Sequence, residues 1–288
     1  MMIKKFILYL CFFKTFASVI ISNKCHEKVI NMHKLHKTFA NKRPQLDSIS
    51  LIANISIPIE QEVLLDHEFL QIVNTTFNKP LEIKNSVISQ LIDLIRAEKD
   101  YYNSKNDVYF EQAVRMFKSK ILKVAILGLY ETTYLPWIEA VLLNLNPLAQ
   151  IWSIDYQPKV YENGNIKWIH VNEFLNKALV EQQLEQFDMV VNYMMIEKVG
   201  LGRYGENISV DSDLDTIELI NCLLKENGLL ILTMSWNKYG NFSYIGFNSG
   251  RLYYEDRLSL MEKNFNVLLK NFFNFGSNLI LVMEKILK

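Results

Sequence analysis

From residue 123 onward, short apolar runs alternate with helical stretches, and each run ends in a glycine or a polar residue. Lys123-Val124-Ala125-Ile126-Leu127-Gly128 comes first, then Gln150-Ile151-Trp152-Ser153-Ile154-Asp155, then Phe187-Asp188-Met189-Val190-Val191-Asn192, then Leu229-Leu230-Ile231-Leu232-Thr233. Parallel strands need long crossovers, so strands spaced by helices predict a mainly parallel α/β sheet. Two further runs, Asn266-Val267-Leu268-Leu269 and Leu279-Ile280-Leu281-Val282, flank Asn274-Phe275-Gly276-Ser277 and read as a closing antiparallel pair. The chain before residue 120 is different. Ile88, Leu91, Ile92 and Ile95 recur at helical spacing, and Val108 to Phe117 repeats the pattern. All ten glycines fall at Gly128 or later. The expected organisation is therefore a mainly helical segment over 23–119 and an α/β unit over 120–288.

Gly200-Leu201-Gly202-Arg203-Tyr204-Gly205 matches G-x-G-x-x-G, the dinucleotide fingerprint, and follows a strand as that motif requires. The fingerprint works when a helix opens on its last glycine and aims its N–H groups at a pyrophosphate. Here Glu206-Asn207-Ile208-Ser209-Val210-Asp211-Ser212-Asp213 follows, an acidic stretch that repels one. The loop reads as a family signature rather than a nucleotide cradle.

Three separated motifs carry that resemblance: Pro136-Trp137-Ile138-Glu139-Ala140 after the first strand, Gly200 to Gly205 after the third, and Phe247-Asn248-Ser249-Gly250-Arg251-Leu252-Tyr253 after the fourth. In this order, over about 120–288, the chain resembles domain of unknown function 268. That family lies within the class I S-adenosylmethionine (SAM) methyltransferase-like fold. The resemblance implies a Rossmann-like, mostly parallel sheet behind an N-terminal helical segment, with SAM as the cofactor to test. It assigns no reaction. Two departures bear on catalysis. The turn after the first strand is Gly128-Leu129-Tyr130-Glu131-Thr132, with one glycine where methyltransferases place three. Glu197-Lys198 stands where the family tends to have Glu-His, so the one base titrating near neutrality is missing.

Carried onto this chain, the fold implies cofactor contacts at Gly128 and Glu131 in the first turn, Asp155 for the ribose hydroxyls, and Asn192 at the crevice end of its strand. Glu197, Arg203 and Arg251 are the substrate-side candidates. The arginines stand out because the chain holds 25 lysines against six arginines, and a planar guanidinium suits bidentate contacts. Each has a plainer reading: Asp155 as a loop cap, the arginines as ties to Asp211, Asp213 or Asp215. Cys25, His26, His33 and His36 fit no zinc spacing, and no metal is expected. His67 and His170 have no partners that the sequence identifies, so no catalytic triad is legible.

Lysine and arginine together number 31, as do aspartate and glutamate, so no basic footprint argues for nucleic acid. The N-terminus carries Lys4-Lys5, an apolar run from Phe6 to Phe13, and Thr15-Phe16-Ala17. Residues 1–22 thus read as a signal peptide, or as an anchor over 6–22 that holds the protein to a membrane. Either way the expected place is the secretory pathway, secreted or within the ER or Golgi lumen. Removal of Cys11 with that segment leaves Cys25 and Cys222 as an even pair able to bridge. Sequons stand at Asn54, Asn74, Asn207 and Asn241. Two functions from different classes follow: methyl transfer to a small or glycan-like acceptor, or a non-catalytic binding or scaffold module that has lost the cofactor.

Overall fold

A computed structural model describes residues 25–30, 80–100, 106–128, 135–180, 184–201, 209–246 and 250–286. The targeting segment, Glu131, Arg203, His33, His36, His67 and the sequons at Asn54, Asn74 and Asn207 lie outside the described residues.

After the helical residues 25–30 come β1 (Leu81–Ile83), α1 (Asn85–Arg96) and α2 (Asn106–Met116). Then come β2 (Lys123–Leu127), α3 (Trp137–Leu145), β3 (Gln150–Asp155), β4 (Lys159–Tyr161), β5 (Ile166–His170) and α4 (Val171–Val180). Next are β6 (Phe187–Tyr193), α5 (Ser212–Leu223), β7 (Leu224–Ser235), β8 (Tyr244–Gly246) and β9 (Gly250–Leu252). The chain closes with α6 (Glu255–Glu262), β10 (Phe265–Phe273) and β11 (Asn278–Lys285).

Seven strands form the central sheet in the order β10-β11-β7-β6-β2-β3-β5. Five of them, β5, β3, β2, β6 and β7, run parallel, and β11 inserts antiparallel between β7 and β10. Strand order reverses between β2 and β6, so a crevice forms beyond their carboxyl ends. The spacing predicts the mainly parallel sheet, and this order with its one antiparallel insertion is the Rossmann-like methyltransferase arrangement that the resemblance implies.

Both faces of the sheet are covered. Ala125, Val190, Leu230, Leu232, Leu279 and Leu281 pack with α4, α5 and α6, while Val124, Ile126, Val191, Ile231, Ile280 and Val282 pack with α1, α2 and α3. Alternate residues of each strand serve opposite layers, which is why the runs are continuously apolar rather than alternating. The periodic residues Ile88, Leu91 and Ile95 form the buried stripe of α1. Both α1 and α2 precede residue 120, yet they share a core with α3 and the sheet.

Candidate functional site

Parallel register brings the three expected strand ends to one edge. Leu127 pairs with Ile154 and Ile126 with Val191, so Gly128, Asp155 and Asn192 stand side by side at the crevice. The Gly128 amide donates to Ile154 O at 3.0 Å, extending the ladder by one residue. With φ at +64° it favours glycine, and a Cβ there would meet Met195 Cε at 3.2 Å. The cradle beside this glycine is filled by methionine.

Asp155 is 2% exposed and fully engaged within its own loop. Oδ1 accepts from the amides of Tyr156 at 2.6 Å and Gln157 at 3.4 Å, and Oδ2 pairs with Lys159 Nζ at 2.6 Å. Lys159 is itself buried, so a ribose must displace an ion pair to reach the carboxylate. Asn192 is likewise buried, and its Oδ1 caps the next turn by accepting from the Ile196 amide at 3.0 Å. Both carboxylate oxygens of Asp155 thus have protein partners, and Met195 lies against Gly128.

Beside this pair lies a buried acid that sequence reasoning passed over. Glu139, in the first turn of α3, is 0% exposed. Its Oε1 accepts from the Tyr161 hydroxyl at 2.6 Å, a hydroxyl also 3.3 Å from Ser153 Oγ, and Oε2 is buried without a hydrogen-bond partner among the described residues. Burial raises its pKa, and the nearby Lys159 charge and the Tyr161 bond only partly draw it back. The available signal was an acid inside the otherwise apolar run Trp137-Ile138-Glu139-Ala140-Val141-Leu142-Leu143, all of it buried.

Arg251 follows the plainer of its two readings, tied to Asp213 and, beyond that reading, to backbone carbonyls. It is 0% exposed, and its guanidinium donates to Val210 O at 2.7 Å, Val199 O at 2.7 Å and Ser209 O at 3.2 Å. Its charge lies 3.5 Å from Asp213 Oδ1. Asp213, fully buried, also receives Arg257 on both oxygens, at 2.7 and 2.5 Å, and the Tyr253 hydroxyl at 3.0 Å. Burial alone would raise its pKa, but Arg251 and Arg257 outweigh that and hold it below the carboxylate range. Arg257 and Asp213 lie outside the recognised motifs and were missed as a pair. Glu197 sits under the same clasp: it is buried, Ser235 Oγ donates to its Oε1 at 3.3 Å, and its backbone oxygen accepts from the Arg251 amide at 2.9 Å. Neither Glu197 nor Arg251 opens onto the crevice surface.

The signature loop begins under the same constraint. Gly200 has φ at +70°, and a Cβ would fall 2.0 Å from Ser212 Oγ. Its carbonyl accepts from the Ser209 amide at 2.8 Å, closing the base of the loop. The first glycine thus serves close approach of α5. His170, without a legible partner in sequence, accepts the Asn172 amide on Nδ1 at 3.2 Å, and burial lowers its pKa. Among the described residues no group of three or more His, Cys, Asp or Glu is placed to hold a metal ion.

No curated protein matches the chain. Solved structures similar to it include a 1,6-didemethyltoxoflavin-N1-methyltransferase from Burkholderia thailandensis with 1,6-didemethyltoxoflavin and S-adenosylhomocysteine bound. It is 10% identical, spans 79% of this chain and 93% of its own, and has a TM-score of 0.47. A putative methyltransferase from Thermobifida fusca is 12% identical over 62% of this chain and 79% of its own, at 0.46. The N-methyltransferase NodS from Bradyrhizobium japonicum, in complex with S-adenosylhomocysteine, is 12% identical over 61% and 87%, at 0.38. The fold itself stands on the strand order rather than on these likenesses. A family model matches residues 126–280, more than half the chain and all three signature motifs, and with it the chain belongs to the family described as Caenorhabditis protein of unknown function, DUF268.

Proposed function

We propose that this methyltransferase-like protein works in the secretory pathway as a binding or scaffold module that keeps the fold without using SAM. The observation that carries the reading is the buried Asp155–Lys159 pair, which occupies the position where the fold anchors a ribose. The methionine beside Gly128 and the clasped Arg251 point the same way. Residues 1–22 and the Cys25–Cys222 bridge support the compartment, since disulfides persist where the medium is oxidising.

A second reading, methyl transfer to a small or glycan-like acceptor, draws on the convergence of Gly128, Asp155 and Asn192 at one crevice edge. Calorimetric titration of SAM and S-adenosylhomocysteine into the protein purified from a secretory host separates the two. The binding-module reading expects no heat at millimolar ligand. Saturable binding that Asp155→Ala weakens by about ten- to a hundredfold, the loss of charge-assisted ribose bonds worth about 1.5–3 kcal/mol, would overturn it in favour of the second.

A further inference from the structure

The turn between β7 and β8 exposes a tyrosine and an asparagine on either side of one glycine. Tyr239 is 90% exposed and Asn241 is exposed as well. The turn is held from beneath. Asn237 Nδ2 donates to Phe242 O at 2.7 Å, its Oδ1 accepts the Gly240 amide at 3.0 Å, and its own amide donates to Tyr253 O at 2.8 Å. A Cβ on Gly240 would lie 1.9 Å from Asn237 Nδ2, so a larger residue there would push the Asn237 amide from its place. Lys238 Nζ lies over one face of the Tyr239 ring, 5.1 Å from its centroid, which leaves the other face open.

We propose that Asn241, in Asn241-Phe242-Ser243, carries an N-linked glycan whose first N-acetylglucosamine covers the open face of Tyr239. The inference rests on the secretory reading above. A pyranose presents a face of C–H bonds with slight positive charge, and the face of an aromatic ring is negative. Tyr239, two residues before the acceptor, is placed to receive it. In the transfer, Asn241 Nδ2 bonds to the anomeric carbon of a lipid-diphosphate-linked oligosaccharide. The C–O bond to the diphosphate breaks, the lipid diphosphate leaves with the bonding pair, and the amide proton goes to the transferase.

The fold sets when this happens. Ser243, the hydroxyl residue of the sequon, is 0% exposed, donates to Asp256 Oδ1 at 2.5 Å and accepts the Tyr254 amide at 2.8 Å. Transfer therefore precedes closure of this turn, whereas the finished turn leaves Asn241 outside.

The test places the whole chain behind a host signal peptide, so that entry does not depend on its own N-terminus. Peptide mapping after glycosidase treatment reads each sequon. The expected result is occupancy at Asn241, lost in Asn241→Gln while the mass carried by any other site is unchanged. Removing the sugar should lower Tm by about 2 °C in the wild type and less in Tyr239→Ala. A bare Asn241 in protein that has reached the lumen overturns the site, and an equal Tm loss in Tyr239→Ala overturns the stacking. A parallel expression with the native N-terminus reads the secretory step alone: cytosolic retention there sinks that reading without touching the site.

Discussion

Asp155 shows what a residue's position in sequence conveys and what it conceals. An acid ending the second parallel strand is legible, because strand periodicity and length place it at the crevice. Its partner is only four residues away, at Lys159, yet nothing in the chain's spelling says that this lysine folds back rather than out. Glu139 is harder still, because Tyr161 lies 22 residues on and Ser153 belongs to another strand. Those contacts exist only once α3 lies on the sheet. The acid makes a residue-scale prediction. Its folded pKa is raised, so its contribution to stability is full at low pH and is lost as pH rises through the raised value. Glu139→Gln keeps the shape and the Tyr161 bond but removes the charge. Urea melts across pH should show wild type losing stability above the usual carboxylate range, with the variant flat and at least as stable at pH 7. A parallel slope in both proteins would show that another group titrates.

Between elements, Arg251 and Tyr253 of the third signature motif join the flanks of the glycine loop and α5 into one clasp. Arg251 of β9 reaches the carbonyls of Val199, Ser209 and Val210, and Asp213 of α5 gathers Arg251, Arg257 and Tyr253. That arginine was placed here for its planar fork was legible from a chain that otherwise prefers lysine. Whether the fork meets a ligand or the protein's own carbonyls was not, since both demand the same geometry. Removing the hub takes its carboxylate from the buried Arg251 and leaves Arg257 only the exposed Asp211, 3.0 Å away, at a cost of about 3–5 kcal/mol. Asp213→Ala should show that loss in chemical denaturation, with Tyr253→Phe costing about 1 kcal/mol for its single bond. Because the Asp213 pKa is depressed, the ion-pair stability is present above the unfolded carboxylate pKa and is lost as pH falls through the lowered value. A neutral Asp213→Ala phenotype would mean that the loop is held by backbone alone. At Gly200, alanine should cost more than ordinary turn substitutions, because the left-handed φ and the Ser212 clash act together.

Across the whole molecule, the sheet was legible because its central strands are buried on both faces and so announce themselves as unbroken apolar runs. The three-residue strands β1, β4, β8 and β9 gave no such signal: they are too short for periodicity, and β1 pairs with β4 across about 80 residues of chain. Among the described residues, the link of widest sequence separation is covalent. Cys25 bonds to Cys222 of α5 with their Cα atoms 5.6 Å apart, across a sequence separation of 197. Around it Lys28 pairs with Asp215 at 2.8 Å and Glu218 at 2.9 Å, and Val29 enters the core completely. Counting cysteines could name this pair but not its place, because α5 takes position only when the sheet is complete. Cross-linking so distant a pair removes conformations from the unfolded chain, which stabilises by about 2–5 kcal/mol. Cys25→Ser and Cys222→Ser should each lose that amount, and the double variant should lose no more than either, since both break one bond. Reductant should lower the wild-type Tm toward theirs and leave theirs in place. The surrounding ion pairs are partly exposed and contribute little, so Lys28→Ala should cost under about 1 kcal/mol. Equal Tm values for wild type and Cys222→Ser under oxidising conditions would mean that the bond does not form in solution. Among the described residues, Val29 and Lys28 would then be what ties the N-terminal segment to the α5 side of the core.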